Sequence, residues 1–177
     1  MNKHTSLSPS PWVLRFANLI TNGGPVLDLA CGSGRHTRYF LAKGHLVTAV
    51  DRDLSRINDI DNDLLTKIEA DLENVTGWIP PQNFFGAVVV TNYLYRPILT
   101  HLIKSLTRSG ILLYETFSKG NEKYGRPKRP EYLLEPGELL EAVRGHLKVI
   151  AYEDVTINQP KLACVQRICC YLEQPSN

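Results

Sequence analysis

Small residues and carboxylates follow one another at informative spacings in the first half of this 177-residue chain. Gly32 and Gly34 come directly after an apolar run and before a segment with helical patterning. Glycines at such a junction let the backbone approach a ligand, and the first amides of the helix point free hydrogens at it. Asp51 follows Gly32 by nineteen residues and closes a second apolar run. A carboxylate in that place can accept hydrogen bonds from both hydroxyls of a ribose, so the spacing predicts a nucleotide site.

A third carboxylate, Asp71, ends the next short apolar run and is followed by Leu72. A carboxylate beside a backbone amide can pair with the edge of an adenine. Three successive strand ends therefore offer a glycine turn, a ribose acceptor and an adenine reader, which is where an open α/β sheet binds its ligands. The dinucleotide fingerprint G-x-G-x-x-G does not fit, because Thr37 stands where its third glycine would be.

The elements that must position these residues are apolar runs of strand length alternating with amphipathic segments, which predicts a parallel sheet with helical crossovers. Two final β-rich runs joined by a short turn predict an antiparallel hairpin at one edge. Ser10 and Pro11 are typical of a helix start. The predicted strands are 26–30, 46–50, 67–70, 84–90, 111–117, 148–155 and 163–172. Five helices are predicted: the first starts at Pro11 within segment 1–24, the second ends at Lys43, the third covers 54–65, the fourth runs from Pro97 to before Gly110, and the fifth starts near Pro136.

Composition narrows the class of protein. Apolar residues make up 43% and charged residues 21%, the balance of a globular chain that buries a core, so disorder is excluded as the main state. No apolar run approaches the roughly 20 residues of a membrane-spanning helix, and the first ten residues are polar. We therefore expect a single cytoplasmic domain over 1–177 with no membrane partner. The cysteines show no zinc-site spacing and are expected to be buried packing residues, with no metal site: Cys31, Cys164, Cys169 and Cys170.

The run V-L-D-L-A-C-G-S-G-R, Val26 to Arg35, resembles the D-x-G-x-G-x-G pattern of class I S-adenosylmethionine-dependent methyltransferases. Asp28 supplies its acidic residue, and Ala30 replaces its first glycine. Together with F-L-A-K-G-H-L-V-T-A-V-D-R-D, this run is similar to the small bacterial tellurite-resistance-type methyltransferases, closely as far as Asp71 and beyond it by element order. The resemblance implies a three-layer α/β, Rossmann-like methyltransferase fold with a mostly parallel seven-stranded sheet and an antiparallel edge hairpin, and S-adenosyl-L-methionine as cofactor.

The same resemblance implies which residues hold the cofactor. The turn after the first strand would hold the methionine end, Asp51 the ribose, and Asp71 with Leu72 the adenine. Thr91 and Asn92 would meet the methionine amine and line the acceptor site. The implied cofactor-binding residues are Asp28, Ala30, Cys31, Gly32, Gly34, Arg35, Asp51, Arg52, Asp71, Leu72, Thr91 and Asn92.

The acceptor site is less defined by the sequence. Asn92-Tyr93 lacks the two prolines of the Asn/Asp-Pro-Pro-aromatic motif of nucleic-acid amino-methylating enzymes, which favours Tyr93 as a cover for the cofactor. The basic, tyrosine-containing segment 118–135 is predicted to be a substrate lid, with nucleic-acid contact and a plain solvated loop as alternatives. Glu115 is a base, an orienting group or a structural hydrogen-bond partner. No catalytic residue is assigned, and the candidates for the substrate site are Tyr93, Arg96, Glu115, Tyr124 and Arg126.

The predicted function is methyl transfer to a small-molecule acceptor by in-line displacement, in a monomer or homodimer. The first alternative is methyl transfer to RNA or a nucleotide, which a strongly salt-dependent affinity for RNA would favour. The second is a non-catalytic regulator that binds the cofactor. Cofactor binding without transfer to any of a broad panel of acceptors would favour that reading.

Overall fold

The computed structural model describes residues 8–74 and 77–173. Within these ranges seven strands form one sheet in the order β3-β2-β1-β4-β5-β7-β6. The first five strands pair in parallel, while β7 runs antiparallel to both β5 and β6. The predicted α/β class, with a mostly parallel sheet and an antiparallel edge, is confirmed. The strands are β1 Val26–Leu29, β2 Val47–Asp51, β3 Leu65–Glu69, β4 Phe85–Thr91, β5 Leu106–Phe117, β6 Lys148–Ile157 and β7 Ala163–Tyr171.

Helices cover both faces of the sheet. On one face Trp12 and Phe40 pack with the strand residue Leu113, and on the other Leu102 and Leu139 belong to a larger cluster. Burying large apolar side chains on both faces explains why the central strands are nearly continuous apolar runs. Residues 1–7 of the predicted segment 1–24 lie outside the described residues. The helices are α1 Pro11–Phe16, α2 Arg35–Ala42, α3 Leu99–Ser105 and α4 Glu138–Val143.

The helix predicted over 54–65 is wrong. Only Ser55–Ile57 forms a single 3₁₀ turn, and β3 begins at Leu65 rather than at residue 67. Side chains of Asp53 and Asn62 accept hydrogen bonds from backbone amides two residues later, at 2.9 Å each. Asn and Asp side chains that bond local amides compete with helical hydrogen bonding, and this segment is rich in both.

The helix predicted from Pro97 to before Gly110 is shorter than expected. It ends at Ser105, and the chain enters β5 at Leu106, which pairs with Phe85 before a register shift. The Thr107 hydroxyl donates to the carbonyl of Phe85 at 3.2 Å. This hydrogen bond helps to hold residues after Ser105 against β4, so they do not continue the helix. Gly110 lies inside the strand. The last helix likewise begins at Glu138, two residues after Pro136.

The four cysteines are free; Cys31, Cys169 and Cys170 are buried as predicted, whereas Cys164 is only half-buried. Cys169 and Cys170 are fully buried on opposite faces of β7, and burial raises the pKa of each thiol to about 12. In the described part of the chain no three His, Cys, Asp or Glu residues are placed to hold a metal ion. No helix within 8–74 or 77–173 has the length and apolarity needed to cross a bilayer.

We expect Cys169→Ala and Cys170→Ala each to lower the free energy of unfolding by about 1–2 kcal/mol, because each removes a buried sulfur from a close-packed core. Chemical denaturation measures the change. Cys164→Ala is the control, since that side chain is only half-buried, and it should cost less. Stoichiometric zinc that is lost in either buried-site variant would contradict the packing role.

Candidate functional site

The turn between β1 and α2 has three residues in the left-handed region: Ala30 (φ 53°), Gly32 (φ 56°) and Gly34 (φ 71°). A Cβ on Gly34 would come within 2.5 Å of Ile57 Cγ2, so both conformation and space require glycine there. Ala30 takes the conformation that the missing first glycine of the sequence pattern would take. Its left-handed backbone costs about 1–2 kcal/mol, so the departure from the pattern has an energetic price.

Asp28 ties the two ends of this turn together. The residue is 2% exposed, and Oδ2 accepts hydrogen bonds from the backbone amide and the hydroxyl of Thr37, at 2.8 and 2.6 Å. Burial raises the pKa of Asp28 to about 6, against the opposing effect of those hydrogen bonds and of Arg35. The carboxylate therefore braces the start of α2 against the end of β1, and it lines neither cleft described below.

His36, the second residue of α2, links this turn to the segment that leads into α1. Its Nε2 accepts a hydrogen bond from the backbone amide of Ser10 at 3.0 Å, and its Nδ1 lies 3.9 Å from an oxygen of Asp28. Burial, and secondarily the charge of Arg35, lowers the pKa of His36 to about 3. The imidazole is thus neutral at physiological pH and serves as a buried acceptor.

A first cleft of about 430 Å³ opens at the carboxyl ends of β1, β2 and β3. In it, Asp51 Oδ2 accepts a hydrogen bond from the amide of Gly32 at 2.8 Å, which fixes the carboxylate beside the glycine turn. Six of the predicted cofactor-binding residues meet here, together with one substrate-site candidate, Tyr93. The lining residues are Ala30, Asp51, Arg52, Ala70, Asp71, Leu72, Glu73, Asn92 and Tyr93.

Tyr93 lines this cleft, and its side chain carries an unpaired polar atom. Its hydroxyl oxygen is buried and has no hydrogen-bond partner within the described residues, while its carbonyl accepts from the Tyr114 hydroxyl at 2.9 Å. Burial, and then the charge of Glu73, raises the pKa of the Tyr93 phenol. A buried hydroxyl without a partner carries a desolvation penalty that a bound polar group would relieve.

A second cleft of about 140 Å³ meets the first at Asn92, whose backbone is left-handed (φ 57°) and whose amide donates to the carbonyl of Glu115. Arg35, predicted for the cofactor, lines this cleft and donates to the Thr91 hydroxyl at 3.2 Å. Burial lowers the pKa of Arg35, opposed by the charges of Glu115 and Asp28. The lining residues are Ser10, Pro11, Arg35, Asn92, Glu115, Phe117, Ile157, Gln159, Pro160, Lys161, Ala163, Val165 and Arg167.

Glu115 is the substrate-site candidate that this second cleft contains. Its side chain is nearly buried, and its two oxygens accept from the Ser10 hydroxyl at 2.8 Å and from Arg167 Nη1 at 3.3 Å. Arg167 also donates to Glu153, so its charge is shared between two carboxylates. Ser10 and Arg167 were not predicted to belong to a site, because the only signal is the pairing of Glu115 with Arg167 across β5 and β7.

The other substrate-site candidates lie apart from both clefts. Arg96 forms an ion pair with Glu138 at 2.6 Å and donates to the carbonyls of Glu131 and Leu133, so it fastens the end of segment 118–135 to α4. Tyr124 is exposed. Arg126 lines a separate shallow depression with Pro127, Lys128, Arg129 and Tyr132. Tyr124 and Arg126 therefore line neither cleft.

The fold with these strand-end clefts is that of the S-adenosylmethionine-dependent methyltransferases. A methyltransferase from Mesorhizobium loti is similar, with a TM-score of 0.67 and 16% identity over 89% of this chain and 97% of that one. Burkholderia thailandensis 1,6-didemethyltoxoflavin-N1-methyltransferase, solved with 1,6-didemethyltoxoflavin and S-adenosylhomocysteine bound, gives a TM-score of 0.68 and 18% identity over 92% and 76%.

Within this class, the chain belongs to the family described as tellurite resistance protein TehB, which matches residues 10–112. TehB from Haemophilus influenzae is similar in structure, with a TM-score of 0.72 and 16% identity over 93% of this chain and 63% of that one. Comparison with curated proteins gives no match. The resemblance drawn from the motifs is thus confirmed.

We expect Ala30→Gly to raise the free energy of unfolding by about 1 kcal/mol, because glycine adopts the left-handed backbone of position 30 without a Cβ penalty. Thermal or urea unfolding measures it. Ala42→Gly, at the end of α2, is the matched control and should lower stability, since helical glycine loses more entropy. Equal effects of the two substitutions would contradict the strain assigned to Ala30.

His36→Gln tests the buried neutral imidazole. His36 titrates near 6.5 when unfolded but only near 3 when folded, so the wild type loses stability from this group as the pH falls below 6.5. We expect the difference in free energy of unfolding between wild type and His36→Gln to be smaller by about 1 kcal/mol at pH 5.5 than at pH 7.5. The surface variant His146→Gln is the control and should run parallel to the wild type. A His36→Gln profile that is also parallel would contradict the prediction.

Proposed function

We propose that this chain binds the nucleoside part of S-adenosylmethionine in the first cleft, and that the methionine end reaches Arg35, which bonds Thr91 next to the point where the two clefts meet. The methyl group is transferred to a small-molecule acceptor in the second cleft. The observation that carries the proposal is that the two clefts meet at Asn92, at the end of β4. The first cleft is large enough for a nucleotide and the second for a single ring, and they join at the end of a strand. This arrangement suits a methyl donor and a methyl acceptor that must meet in line.

The residues present fit the cofactor. Asp51 would accept from the ribose hydroxyls, since its two oxygens hold only single backbone amides, of Gly32 and Asp53. Asp71 and Leu72 would hold the adenine. The unpaired Tyr93 hydroxyl would gain a polar partner. When bound, the cofactor supplies a methyl group on a sulfonium that needs no further activation.

Arg35 would hold the carboxylate of the methionine end. Its guanidinium is half-buried, and no carboxylate within the described ranges lies within 4.0 Å of it. A desolvated guanidinium gains most from a carboxylate that it can bind in a bidentate manner. The turn 30–34 would also contact the methionine end of the cofactor, and the hydrogen bonds between Asp28 and Thr37 hold this turn in shape.

We further propose that the chain acts as one domain and that segment 118–135 closes over the second cleft. The support is local. Ser118 forms a β-bridge with Leu134, and Arg96 holds the end of the segment. A Cβ added to Gly125 would lie 3.8 Å from Nζ of Lys161, which lines the second cleft. Methyl transfer in a closed site is promoted by excluding water and by holding the reacting atoms in line. The basic residues of this segment do not line the clefts, so we favour a small molecule over RNA as the acceptor.

Asp51→Ala is expected to weaken S-adenosylhomocysteine binding about tenfold or more, because a charge-assisted hydrogen bond contributes about 1.5–3 kcal/mol. Isothermal calorimetry measures the affinity. Asp61→Ala, an exposed carboxylate outside both clefts, is the control and should bind like the wild type. Unchanged affinity in Asp51→Ala would remove Asp51 from the site. Tight binding of NAD by the wild type in place of S-adenosylhomocysteine would overturn the proposed cofactor.

A further inference from the structure

We propose that Glu115 accepts the proton of the methyl acceptor, and that the acceptor is therefore a single-ring compound bearing an N–H or O–H nucleophile. This inference rests on the proposed function and deepens it by naming the acceptor class. It sets such compounds apart from thiolates and inorganic oxyanions, which are already anionic and need no base from the protein.

The first observation is the setting of the carboxylate. Glu115 is the one carboxylate among the described residues that line the second cleft, and its side chain is 10% exposed. The Ser10 hydroxyl holds one oxygen and Arg167 holds the other. Each oxygen keeps a further lone pair, because a carboxylate offers about four acceptor positions. The group is thus held in place without being saturated, beside the point where the two clefts meet.

The second observation is that the nearby cations are already committed. The Arg167 guanidinium donates to Glu153 through Nε and Nη2 and to Glu115 through Nη1. Arg35 is assigned to the carboxylate of the cofactor. Lys161 is exposed, on the turn between β6 and β7. No buried cation of the cleft is left to hold an anion, whereas Glu115 would repel one.

The third observation is the size and lining of the cleft. A cavity of about 140 Å³ is comparable to one that holds a benzene molecule, which is of order 150 Å³. Phe117, Ile157 and Val165 give it apolar walls. These walls favour a flat organic ring, and its polar group has Glu115 as a hydrogen-bond acceptor.

The step balances in atoms and charge. A lone pair of the acceptor oxygen or nitrogen forms the new bond to the methyl carbon, and the carbon–sulfur bond breaks with its electron pair left on sulfur. The acceptor proton passes to Glu115. A sulfonium and a carboxylate thereby become a neutral thioether and a carboxylic acid, and the proton then leaves to solvent.

A pair of matched probes tests the donor preference. Phenol and fluorobenzene have similar size, but only phenol donates a hydrogen bond. In NMR titrations of the S-adenosylhomocysteine complex, we expect wild-type protein to bind phenol at least about fivefold more tightly than fluorobenzene. Glu115→Gln should reduce this preference to below about twofold, because a neutral amide is the weaker acceptor. Glu141→Gln, a surface carboxylate paired with Arg144, is the control and should keep the preference.

A transfer assay with labelled cofactor tests the proton acceptance. The panel is phenol, catechol and imidazole against thiophenol and tellurite. We expect transfer to the ring O–H or N–H compounds, slowed about a hundredfold or more in Glu115→Gln, as for loss of a general base. Equal wild-type affinities for phenol and fluorobenzene would overturn this inference even if Glu115→Gln fails to fold. So would transfer confined to thiophenol or tellurite. Failure of the wild type to bind S-adenosylhomocysteine would instead overturn the proposed function.

Discussion

The buried carboxylate of Asp28 fixes the shape of the glycine turn and, through that turn, the position of the Asp51 carboxylate. Two short hydrogen bonds from Thr37 join the end of β1 to the first turn of α2, so the five residues between these elements turn tightly, three of them in the left-handed region. That turn presents the Gly32 amide to Asp51 and so fixes the ribose-side carboxylate as well. Burying a carboxylate is unfavourable, as its raised pKa shows, and the hydrogen bonds offset part of that cost.

A chain of polar contacts connects the glycine turn to the other side of the site. His36 accepts from the amide of Ser10, the Ser10 hydroxyl donates to Glu115, and Glu115 pairs with Arg167. The start of α1, the glycine turn and the ends of β5 and β7 are thereby held as one unit. Buried networks of this kind are rigid when every member has a partner, and rigidity is what an in-line transfer between two clefts requires.

The first cleft was predictable because its signals are local. Asp51 and Asp71 each follow an apolar run at a strand end, and the glycine turn sets the register of the motif. The second cleft was not, because Ser10, Glu115 and Arg167 meet only after β7 inserts between β5 and β6. Local patterning also failed over 54–65, where Asn and Asp side chains bond the backbone and replace a helix with turns. The guanidinium of Arg126 could bind an anionic substrate group, but its position in the sequence could not show that it lines a depression separate from both clefts.

A crystal structure of the S-adenosylhomocysteine complex would show whether donor and acceptor meet as proposed. We expect the adenine against Leu72, both ribose hydroxyls on the Asp51 carboxylate, and the sulfur beside Asn92, facing Glu115 across the second cleft. The methionine carboxylate should lie on Arg35. A complex in which the ribose makes no contact with Asp51, or in which the sulfur faces away from the cleft that contains Glu115, would contradict this proposal.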